Sequence, residues 1–321
     1  MISKLKAFSL FAADLQKLAG ERDIQAIAAF GVQKLKPVLG FESAWYGWSR
    51  FEPGRTVVPA SATVNLPGGF AKFWSTIESQ DLVARAFREK RTLIGTYDRT
   101  QPAQTDGMIA LCERYHLRKW ASAMHHNRRS RTAFFVSIYR GDTRSRDWQP
   151  DELELLQCAV DHISLAMEVS TRHARGTLGE QMLVVDAEGG LHIANSESQA
   201  FLRGVWPGWR GEQLPKSLLR YVREPGTFYI RGRGVVLSSS LVTLENSHLV
   251  ALRLRETAKS DRLSPREAQV ARALAAGATY KQAAAALGSA PATIRNQTQA
   301  IYTKLGIASR AQLATLLSKE G

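Results

Sequence analysis

The sequence has few cysteines and no long apolar run. Only two of its 321 residues are cysteines, Cys112 and Cys158, which is too few for a disulfide framework. No stretch of about 18 or more consecutive apolar residues occurs, so we predict no membrane span, and the N-terminus lacks the apolar core of a secretion signal. These absences predict a reduced, cytoplasmic protein with two ordinary buried thiols.

Acidic residues are scarce near the C-terminus, where none lies between Glu267 and Glu320. The whole chain has a formal net charge of +14 and a pI of about 10.0. Residues 258–321 hold nine Lys and Arg against three Asp and Glu, so their charge density is about three times that of the rest of the chain. This asymmetry favours a polyanion as partner, with nucleic acid ahead of a membrane surface.

The motifs of common enzyme and metal sites are also missing. There is no glycine-rich phosphate loop, nucleophile elbow or HExxH motif. Cys112 and His116 are four residues apart and could face one metal, but an ordinary helix face explains them better. His125 and His126 alternate faces of a predicted strand, which favours structural roles. We therefore predict no catalytic residue, no metal site and no cofactor.

Hydrophobic spacing and turn residues divide the chain into three segments. The first, residues 1–176, has an α+β pattern that opens with two amphipathic helices and closes with a long one. The strands predicted between them are Ser43–Arg50, Thr56–Val64, Thr92–Tyr97, Trp120–His126 and Thr132–Tyr139. The helices predicted between the strands are Gly69–Ser79, Asp81–Glu89 and Asp106–Tyr115.

The closing helix, predicted from Gln149 to His173, carries a narrow heptad seam. Pro150, Asp151 and Glu152 suit its N-terminus. Two interpretations stay open, because about two heptads are too few to decide: the seam packs on its own domain, or it serves dimerisation or signalling. The seam residues are Leu153, Leu156, Val160, Ile163 and Met167, and the first four are the candidate dimerisation residues.

The second segment, residues 180–256, follows a linker-like stretch, His173–Gly179, and has another α+β pattern. Strands at Met182–Asp186 and Leu191–Ala194 flank a turn, and a short helix is predicted near Ser196–Leu202. Three antiparallel strands are then predicted at Thr227–Arg231, Val235–Val242 and His248–Leu254.

The third segment, residues 260–321, has four short helices with well-marked ends. Ser264 with Glu267, and Thr279 with Gln282, have the spacing of capping boxes. Gly277, Gly288 and Gly306 suit left-handed helix ends. Two short helices joined through a glycine turn, and followed by a helix with one polar face, are typical of a helix-turn-helix.

The polar face of the third helix suits DNA. Arg, Asn and Gln have planar ends that match base edges in the major groove, while Lys and Thr suit phosphates. The predicted base contacts are Arg295, Asn296 and Gln299. The predicted phosphate contacts are Lys281, Thr293 and Lys304. A helical tail that contacts a protein instead of DNA is the alternative.

The order of these residues resembles the C-terminal DNA-binding domain of the LuxR family of bacterial regulators, over about 60 residues. The matching residues are Leu263, Pro265, Arg266, Glu267, Gly277, Lys281, Thr293, Ile294, Arg295, Ile301, Tyr302, Lys304, Leu305, Gly306, Ser309 and Arg310. The resemblance implies a homodimer that reads double-stranded DNA with the third helix and pairs through the fourth, with RNA polymerase as a further partner. The candidate pairing residues are Leu313, Leu316 and Leu317.

Four positions depart from the LuxR pattern: Ala283, Ser289, Ala290 and Gln297. The family usually has a larger aliphatic residue in place of Ala283, and a histidine is frequent at Gln297. Ala290 stands where the family usually has a serine that caps the recognition helix, and such a change typically costs about 1 kcal/mol. A small apolar residue is expected near Ser289. These departures put DNA affinity and target sequence in question, and they suggest a recognition helix that becomes firmer on binding.

The first two segments resemble sensor domains. The α-α-β opening and the long closing helix of the first are similar to a GAF domain, and Asp186, Gly189, Gly190 and Asn195 in the second are similar to the opening of a PAS domain. Any small antiparallel sheet domain is the alternative for the second segment. The predicted fold class is multidomain: two α+β sensor-type domains, GAF-like and then PAS-like, followed by an all-α four-helix helix-turn-helix domain.

The first segment is rich in large aromatic residues, and alternation along the strands turns one set of them inward. We predict a pocket for a small, mostly apolar or aromatic effector, with a plain aromatic core as the alternative. The predicted lining is Trp45, Trp48, Phe73, Trp74, Trp120, Met124 and His126. The Trp-x-x-x-Tyr spacing of acyl-homoserine lactone sensors is absent.

The sequence therefore predicts a DNA-binding transcription regulator controlled by a small molecule in its N-terminal domain. Control by a protein partner or by constitutive dimerisation, with no ligand, is one alternative. An enzyme with a regulatory DNA-binding tail is the other, and no set of residues supports it.

Overall fold

The computed structural model describes residues 4–90, 92–127, 129–141, 146–173, 180–230, 232–245 and 247–320. The chain divides into two compact units. The first unit comprises residues 1–174, 181–228 and 237–253, and the second comprises residues 175–180, 229–236 and 254–321. Most of the predicted linker, residues 174–179, lies outside the described residues.

Five antiparallel strands form the first sheet, in the order β2-β1-β5-β4-β3. The strands are β1 Ser43–Glu52, β2 Arg55–Val64, β3 Ile94–Asp98, β4 Lys119–Asn127 and β5 Thr132–Arg140. All five predicted strands are confirmed, and their ends differ from the prediction by no more than two residues. β-Branched and aromatic residues between turn signals marked them well.

Helices cover both faces of this sheet. One face packs against α1, α2 and α6, and the other against α3, α4 and α5. The helices are α1 Lys4–Ala19, α2 Ile24–Leu39, α3 Phe70–Ile77, α4 Leu82–Lys90, α5 Asp106–Tyr115 and α6 Pro150–His173. None of the described helices has the length and apolar character needed to cross a membrane.

The aromatic residues of β1 are divided between the two faces. Successive side chains of a strand point to opposite faces, so Trp45 and Trp48, three residues apart, cannot share one. We call the side covered by α3, α4 and α5 the Trp45 face, and its core includes Trp45, Trp74, Trp120, Met124 and Phe135. We call the other side the Trp48 face, and its core includes Trp48, Phe134, Val136 and Leu156.

The heptad seam of α6 lies in the core of the Trp48 face. Leu156, Val160 and Ile163 are fully buried there, and Leu153 packs against the same core. The structure therefore agrees with the first interpretation, a helix packed on its own domain, and these side chains are not accessible to a second copy. Cys112 is buried, but Cys158 is exposed, so the prediction of two buried thiols is wrong for Cys158. It lies two residues after Leu156, on the opposite side of the helix.

A second five-stranded sheet, in the order β7-β6-β10-β9-β8, follows in the chain. Its elements are β6 Gln181–Val185, β7 Leu191–Ala194, α7 Ser196–Val205, β8 Gly226–Ile230, β9 Val235–Leu244 and β10 Ser247–Glu256. These are the predicted strands and helix, although Arg231, the predicted end of β8, lies outside the described residues. A 3₁₀ helix at Lys216–Tyr221 was not predicted.

Buried polar contacts join β6 and β7 to the first sheet within the first unit. Asp186 is fully buried, and its carboxylate lies 2.8 Å from Arg50 Nη1 and 3.0 Å from His192 Nε2. The same carboxylate accepts hydrogen bonds from the backbone N–H of Gly190 and Glu188, which shapes the β6–β7 turn. Ser130 and Thr132 both donate to the Leu191 carbonyl. The residues predicted to open a PAS-like fold therefore include a structural carboxylate at this junction.

The second unit contains the four predicted helices of the third segment. They are α8 Pro265–Ala275, α9 Tyr280–Ala286, α10 Pro291–Leu305 and α11 Arg310–Glu320. Both predicted capping boxes are present, and Gly277, Gly288 and Gly306 have positive φ angles of 102°, 59° and 66° at the helix ends. The helices enclose a small aliphatic core that includes Val270, Leu274, Ile294, Ile301 and Leu313.

Candidate functional site

The exposed side of α10 carries the predicted base-contacting residues. Ile294, Thr298, Ile301 and Leu305 recur at helical spacing and are buried, which fixes the orientation of the helix on its core. The opposite side is then free for polar side chains. Arg295, Asn296 and Gln299 are all exposed on it, and Thr293 lies at its start. We call Lys281, Thr293, Arg295, Asn296, Gln299 and Lys304 the recognition surface.

Arg266 holds the turn that precedes α10. Its guanidinium donates to the Leu287 carbonyl and, at 2.6 Å, to Ser289 Oγ. These contacts satisfy a free carbonyl at the end of α9 and tie α8 to the turn. Ser289, where the family pattern has an apolar residue, is therefore a hydrogen-bond partner here. Sequence reasoning missed this role, because the two residues are 23 positions apart.

The start of α10 has no side-chain cap. Ala290 is the N-cap residue and has extended backbone angles, but its side chain cannot accept a hydrogen bond. Pro291 follows at the first helical position, where its missing N–H costs nothing. The predicted weakness of this helix start is thus present, at the end of the helix that carries Thr293 and Arg295.

Lys304 has an internal partner. Its Nζ lies 2.7 Å from both carboxylate oxygens of Glu267, and the Lys304 side chain is still 44% exposed. The hydrogen bond from Lys304 is the main cause that lowers the pKa of Glu267, which also accepts from the backbone N–H of Ser264 in the capping box. One carboxylate therefore caps α8 and holds Lys304, a predicted phosphate contact.

The two carboxylates of the four helices are both engaged internally. Glu320 accepts hydrogen bonds from the backbone N–H of Lys259 and Ser260, at 2.9 and 3.2 Å. Glu267 is held by Ser264 and Lys304. No other acid lies between them in the sequence, so α9 and α10 carry no acidic residue of their own, and Glu267 of α8 contacts the recognition surface through Lys304. The excess of basic residues on α9 and α10 favours a polyanion as partner.

The predicted pairing residues of α11 differ in how far their side chains are buried. Leu313 is fully buried in the core of the helical domain, so it supports α11 from within. Leu316 and Leu317 are partly buried and pack against that core. Leu316 also lines an open groove of about 490 Å³ together with Ala311, Thr315 and Lys319. The groove side of α11 is open to a partner, whereas Leu313 is not.

The residues predicted to line an effector pocket do not share one cavity. Trp45, Trp74, Trp120 and Met124 line a cavity on the Trp45 face. Phe73 lies beside it, half-buried, with the Arg114 guanidinium 4.7 Å from its ring centre. Trp48 and His126 line a different cavity. The single predicted lining is therefore corrected to two, because Trp45 and Trp48 point to opposite sides of the sheet.

The cavity on the Trp45 face is small. Its volume is about 30 Å³, enough for one or two water molecules. Burial raises the pKa of Asp81, which lies in its wall, even though Trp74 Nε1 donates to that carboxyl at 2.7 Å. Trp45 Nε1 is buried in the same wall without a hydrogen-bond partner. The second cavity is much larger, about 510 Å³.

Residues 261–317 match a protein-family model described as GerE, bacterial regulatory proteins of the luxR family. The match covers α8, α9 and α10 and most of α11, and therefore the whole recognition surface. No curated protein matches the chain. The helical domain is thus a LuxR-type helix-turn-helix domain, as the order of its residues predicted.

Several solved structures share a weak likeness with the chain. SdiA from Escherichia coli has 12% identity and a TM-score of 0.39, over 97% of both chains. CepR2 from Burkholderia cenocepacia, titled an N-acylhomoserine-lactone-dependent LuxR-family factor, has 17% identity and a TM-score of 0.36, over 54% of this chain and 99% of its own. A phycocyanobilin-bound GAF domain from a cyanobacterial phytochrome has 14% identity and a TM-score of 0.40, over 55% of this chain and 100% of its own. With TM-scores below 0.5, these likenesses define neither the fold nor a ligand of this chain.

Proposed function

We propose that this chain, which carries a LuxR-type DNA-binding domain at residues 261–317, is a bacterial transcription regulator that binds double-stranded DNA as a homodimer. The observation that carries the proposal is the recognition surface itself. Arg295, Asn296 and Gln299 are exposed on one side of α10, and neither α9 nor α10 carries an acidic residue. In this proposal the three side chains contact base edges, while Thr293, Lys281 and Lys304 contact phosphates.

A mobility-shift titration with the DNA upstream of the chain's own gene tests base reading. Arg295→Ala is expected to cost about 1 to 3 kcal/mol of binding free energy and to relax specificity, because one bidentate base contact is lost. Arg272→Ala is the matched control, since Arg272 is exposed on α8, outside the recognition surface. Equal binding by Arg295→Ala and the wild type would show that Arg295 does not read the site.

Pairing through α11 is the second part of the proposal. What supports it is the open groove beside Leu316, which is the accessible apolar part of that helix. Symmetric pairing matches the near-palindromic sites that such regulators bind. Leu316→Glu is expected to lower the mass of the protein–DNA complex from two chains to one chain per operator. Gln269→Glu, at an exposed position of α8, is expected to leave the mass unchanged. A monomer on every operator with the wild type would contradict the dimer.

RNA polymerase is the partner proposed for the assembled complex.

Control by a small molecule in the N-terminal region is the third part. We take residues 1–176 as a GAF-like sensor and residues 180–256 as a PAS-like domain. The unpartnered Trp45 Nε1 and the buried Asp81 on the Trp45 face support a polar contact with an effector. An effector of more than a few atoms requires α3 and α4 to move outward, since the cavity holds about 30 Å³.

The same small volume favours a second candidate, in which the Trp45 face is a packed aromatic core and control comes from a protein partner or from constitutive dimerisation. Native mass spectrometry of the full-length protein separates the two. A co-purifying small molecule supports effector control. Its absence, together with no stabilisation by a panel of aromatic and apolar compounds, supports the second candidate.

A further inference from the structure

A large unassigned feature of the first unit is the cavity on the Trp48 side, with a volume of about 510 Å³. Ligand pockets typically have volumes of about 300 to 1,000 Å³. Its walls come from the ends of β4 and β5, from α6, and from β7 and α7, all within the first compact unit. The predicted effector residues of the Trp45 face contribute nothing to it, so it is a separate site.

The floor of this cavity is aromatic and apolar. Trp48 is fully buried and Phe134 nearly so, and their ring centres are 5.3 Å apart. Met167 of α6 and Ile193 of β7 are also buried and border the cavity. A flat apolar or aromatic body matches such a floor, because these residues supply apolar atoms rather than single hydrogen-bonding groups.

Three residues of the lining hold buried polar atoms without a hydrogen-bond partner: Trp48 Nε1, Ser164 Oγ and His192 Nδ1. An unpaired buried polar atom is costly, and an occupant that reaches these three atoms through small side-chain movements would pair them. His192 Nε2 lies 3.0 Å from the ionised Asp186, so that nitrogen carries the proton. In the tautomer with its proton on Nε2, Nδ1 is an acceptor, while Trp48 can only donate.

The rim of the cavity is positively charged. Arg129, in the β4–β5 loop, and Arg203, on α7, are both exposed and border it. Glu168 is the acid of the lining. Two guanidinium groups against one carboxylate favour an anionic group at the rim, since guanidinium pairs well with carboxylate or sulfonate oxygens.

We propose that this cavity binds a small aromatic acid, with its ring on Trp48 and Phe134 and its anionic group at Arg129 and Arg203. The proposal concerns binding alone and does not depend on what the DNA-binding domain does. It places a ligand on the side of the first sheet that α6 covers. The ligand would lie next to α6, which is the helix that follows this sheet in the chain.

The probe is anilinonaphthalene sulfonate, an aromatic anion whose fluorescence rises in an apolar site, and its neutral parent anilinonaphthalene is the charge control. The full-length wild type is expected to bind the sulfonate at one saturable site. The double variant Arg129→Gln with Arg203→Gln is expected to raise the Kd of the sulfonate about tenfold and to leave that of the neutral parent within about twofold. Both arginines are exposed, so their loss does not threaten folding.

A second variant tests the location. Gln199 is half-buried on α7 and borders the cavity, and Gln199→Trp is expected to fill it and raise both Kd values about tenfold. The double variant Arg85→Gln with Lys90→Gln removes two exposed charges from α4 and is expected to change neither Kd. Absence of saturable sulfonate binding, or binding that Gln199→Trp and the double arginine variant leave unchanged, would overturn the proposal.

Discussion

Capping contacts in the helical domain (α8 to α11) and buried charge pairs in the sheet region (β1 to β10) differ in the sequence distance between their partners. In the helical domain the capping contacts join neighbours three residues apart, such as Ser264 with Glu267 and Thr279 with Gln282. In the sheet region the buried charges join distant residues, as Arg50 and Asp186 do across 136 positions. Local contacts at exposed helix ends contribute little each, whereas a buried charge left alone is costly. The same kind of substitution should therefore have very different effects in the two regions.

The largest effect is expected at the buried junction of the first unit. Asp186→Ala leaves His192 and the backbone N–H groups of Glu188 and Gly190 without their carboxylate, while Arg50 keeps its ion pairs with Glu52 and Glu188. We expect the loss of these buried contacts to lower the free energy of unfolding of the first unit by about 2 to 4 kcal/mol. All seven tryptophans lie in the first unit, so urea unfolding followed by tryptophan fluorescence reports on that unit and not on the helical domain.

Asp14→Ala is the control for this prediction. Asp14 pairs with Lys34 at 3.5 Å, and both side chains are about half exposed, so its loss should cost less than about 1 kcal/mol. Equal destabilisation by Asp14→Ala and Asp186→Ala would contradict the contrast between buried and exposed contacts.

Two buried aspartates of the first unit should respond to pH in opposite ways. Burial favours the protonated form of Asp186, but the hydrogen bond with His192, the backbone donors and Arg50 outweigh it and lower the pKa. Asp186 therefore contributes stability above the unfolded aspartate pKa of about 3.9, and this stability is lost as pH falls through the lowered folded pKa. Burial raises the pKa of Asp81, so its contribution is present below about pH 3.9 and is lost as pH rises through the raised folded pKa.

The urea midpoint of the first unit, measured by tryptophan fluorescence from about pH 3 to about pH 8, tests both signs. Asp186→Asn should flatten the loss of stability on the acid side. Asp81→Asn should flatten the fall as pH rises, and its carbonyl oxygen can still accept from Val83 and Ala84. If both variants change the same side of the profile, the assignment of opposite shifts is wrong.

The elements of both regions were predictable, because their signals are local. Alternating apolar residues placed the strands of the first sheet to within two residues, and caps and glycines placed the four helices. The face on which each strand residue lies was also predictable, because successive side chains alternate between the two faces. The prediction of one pocket that contains both Trp45 and Trp48 overlooked this alternation. The exposed set Arg295, Asn296 and Gln299 followed from the helical spacing of Ile294 and Ile301.

The contacts that bring distant segments together were not predictable. Arg266 reaches Ser289 only because α8 crosses the turn before α10, and nothing in either residue's neighbourhood indicates it. The Trp48-side cavity depends on how the β4–β5 loop, α6 and α7 meet, and these segments are far apart in sequence. Hydrophobic periodicity reports which residues are buried, but it does not report what they are buried against.

A smaller effect is expected at the uncapped start of α10. Ala290→Ser introduces a hydroxyl at an N-cap position that already has extended backbone angles, so it should stabilise the helical domain by about 1 kcal/mol. Thermal unfolding followed by helical circular dichroism measures this change, while tryptophan fluorescence should not move. Ser264→Ala, which removes an existing cap, should have the opposite sign and a similar size. A loss of stability in Ala290→Ser would contradict the proposed weakness.

The smallest effect on stability, but a distinct one on DNA binding, is expected for Glu267→Gln. Glutamine still serves the capping box, so the free energy of unfolding should change by less than about 1 kcal/mol. The change removes the charge that neutralises Lys304, whose ammonium gives two of its three donors to Glu267. If Lys304 contacts a phosphate, the slope of log K against log salt should steepen by up to about one unit.

Lys281→Ala is the comparison variant. It should make the slope shallower by about one unit, because Lys281 is exposed on α9 and is a proposed phosphate contact. An unchanged slope in Glu267→Gln would show that Lys304 stabilises the domain through Glu267 and does not contact a phosphate. Lys304 would then be removed from the recognition surface.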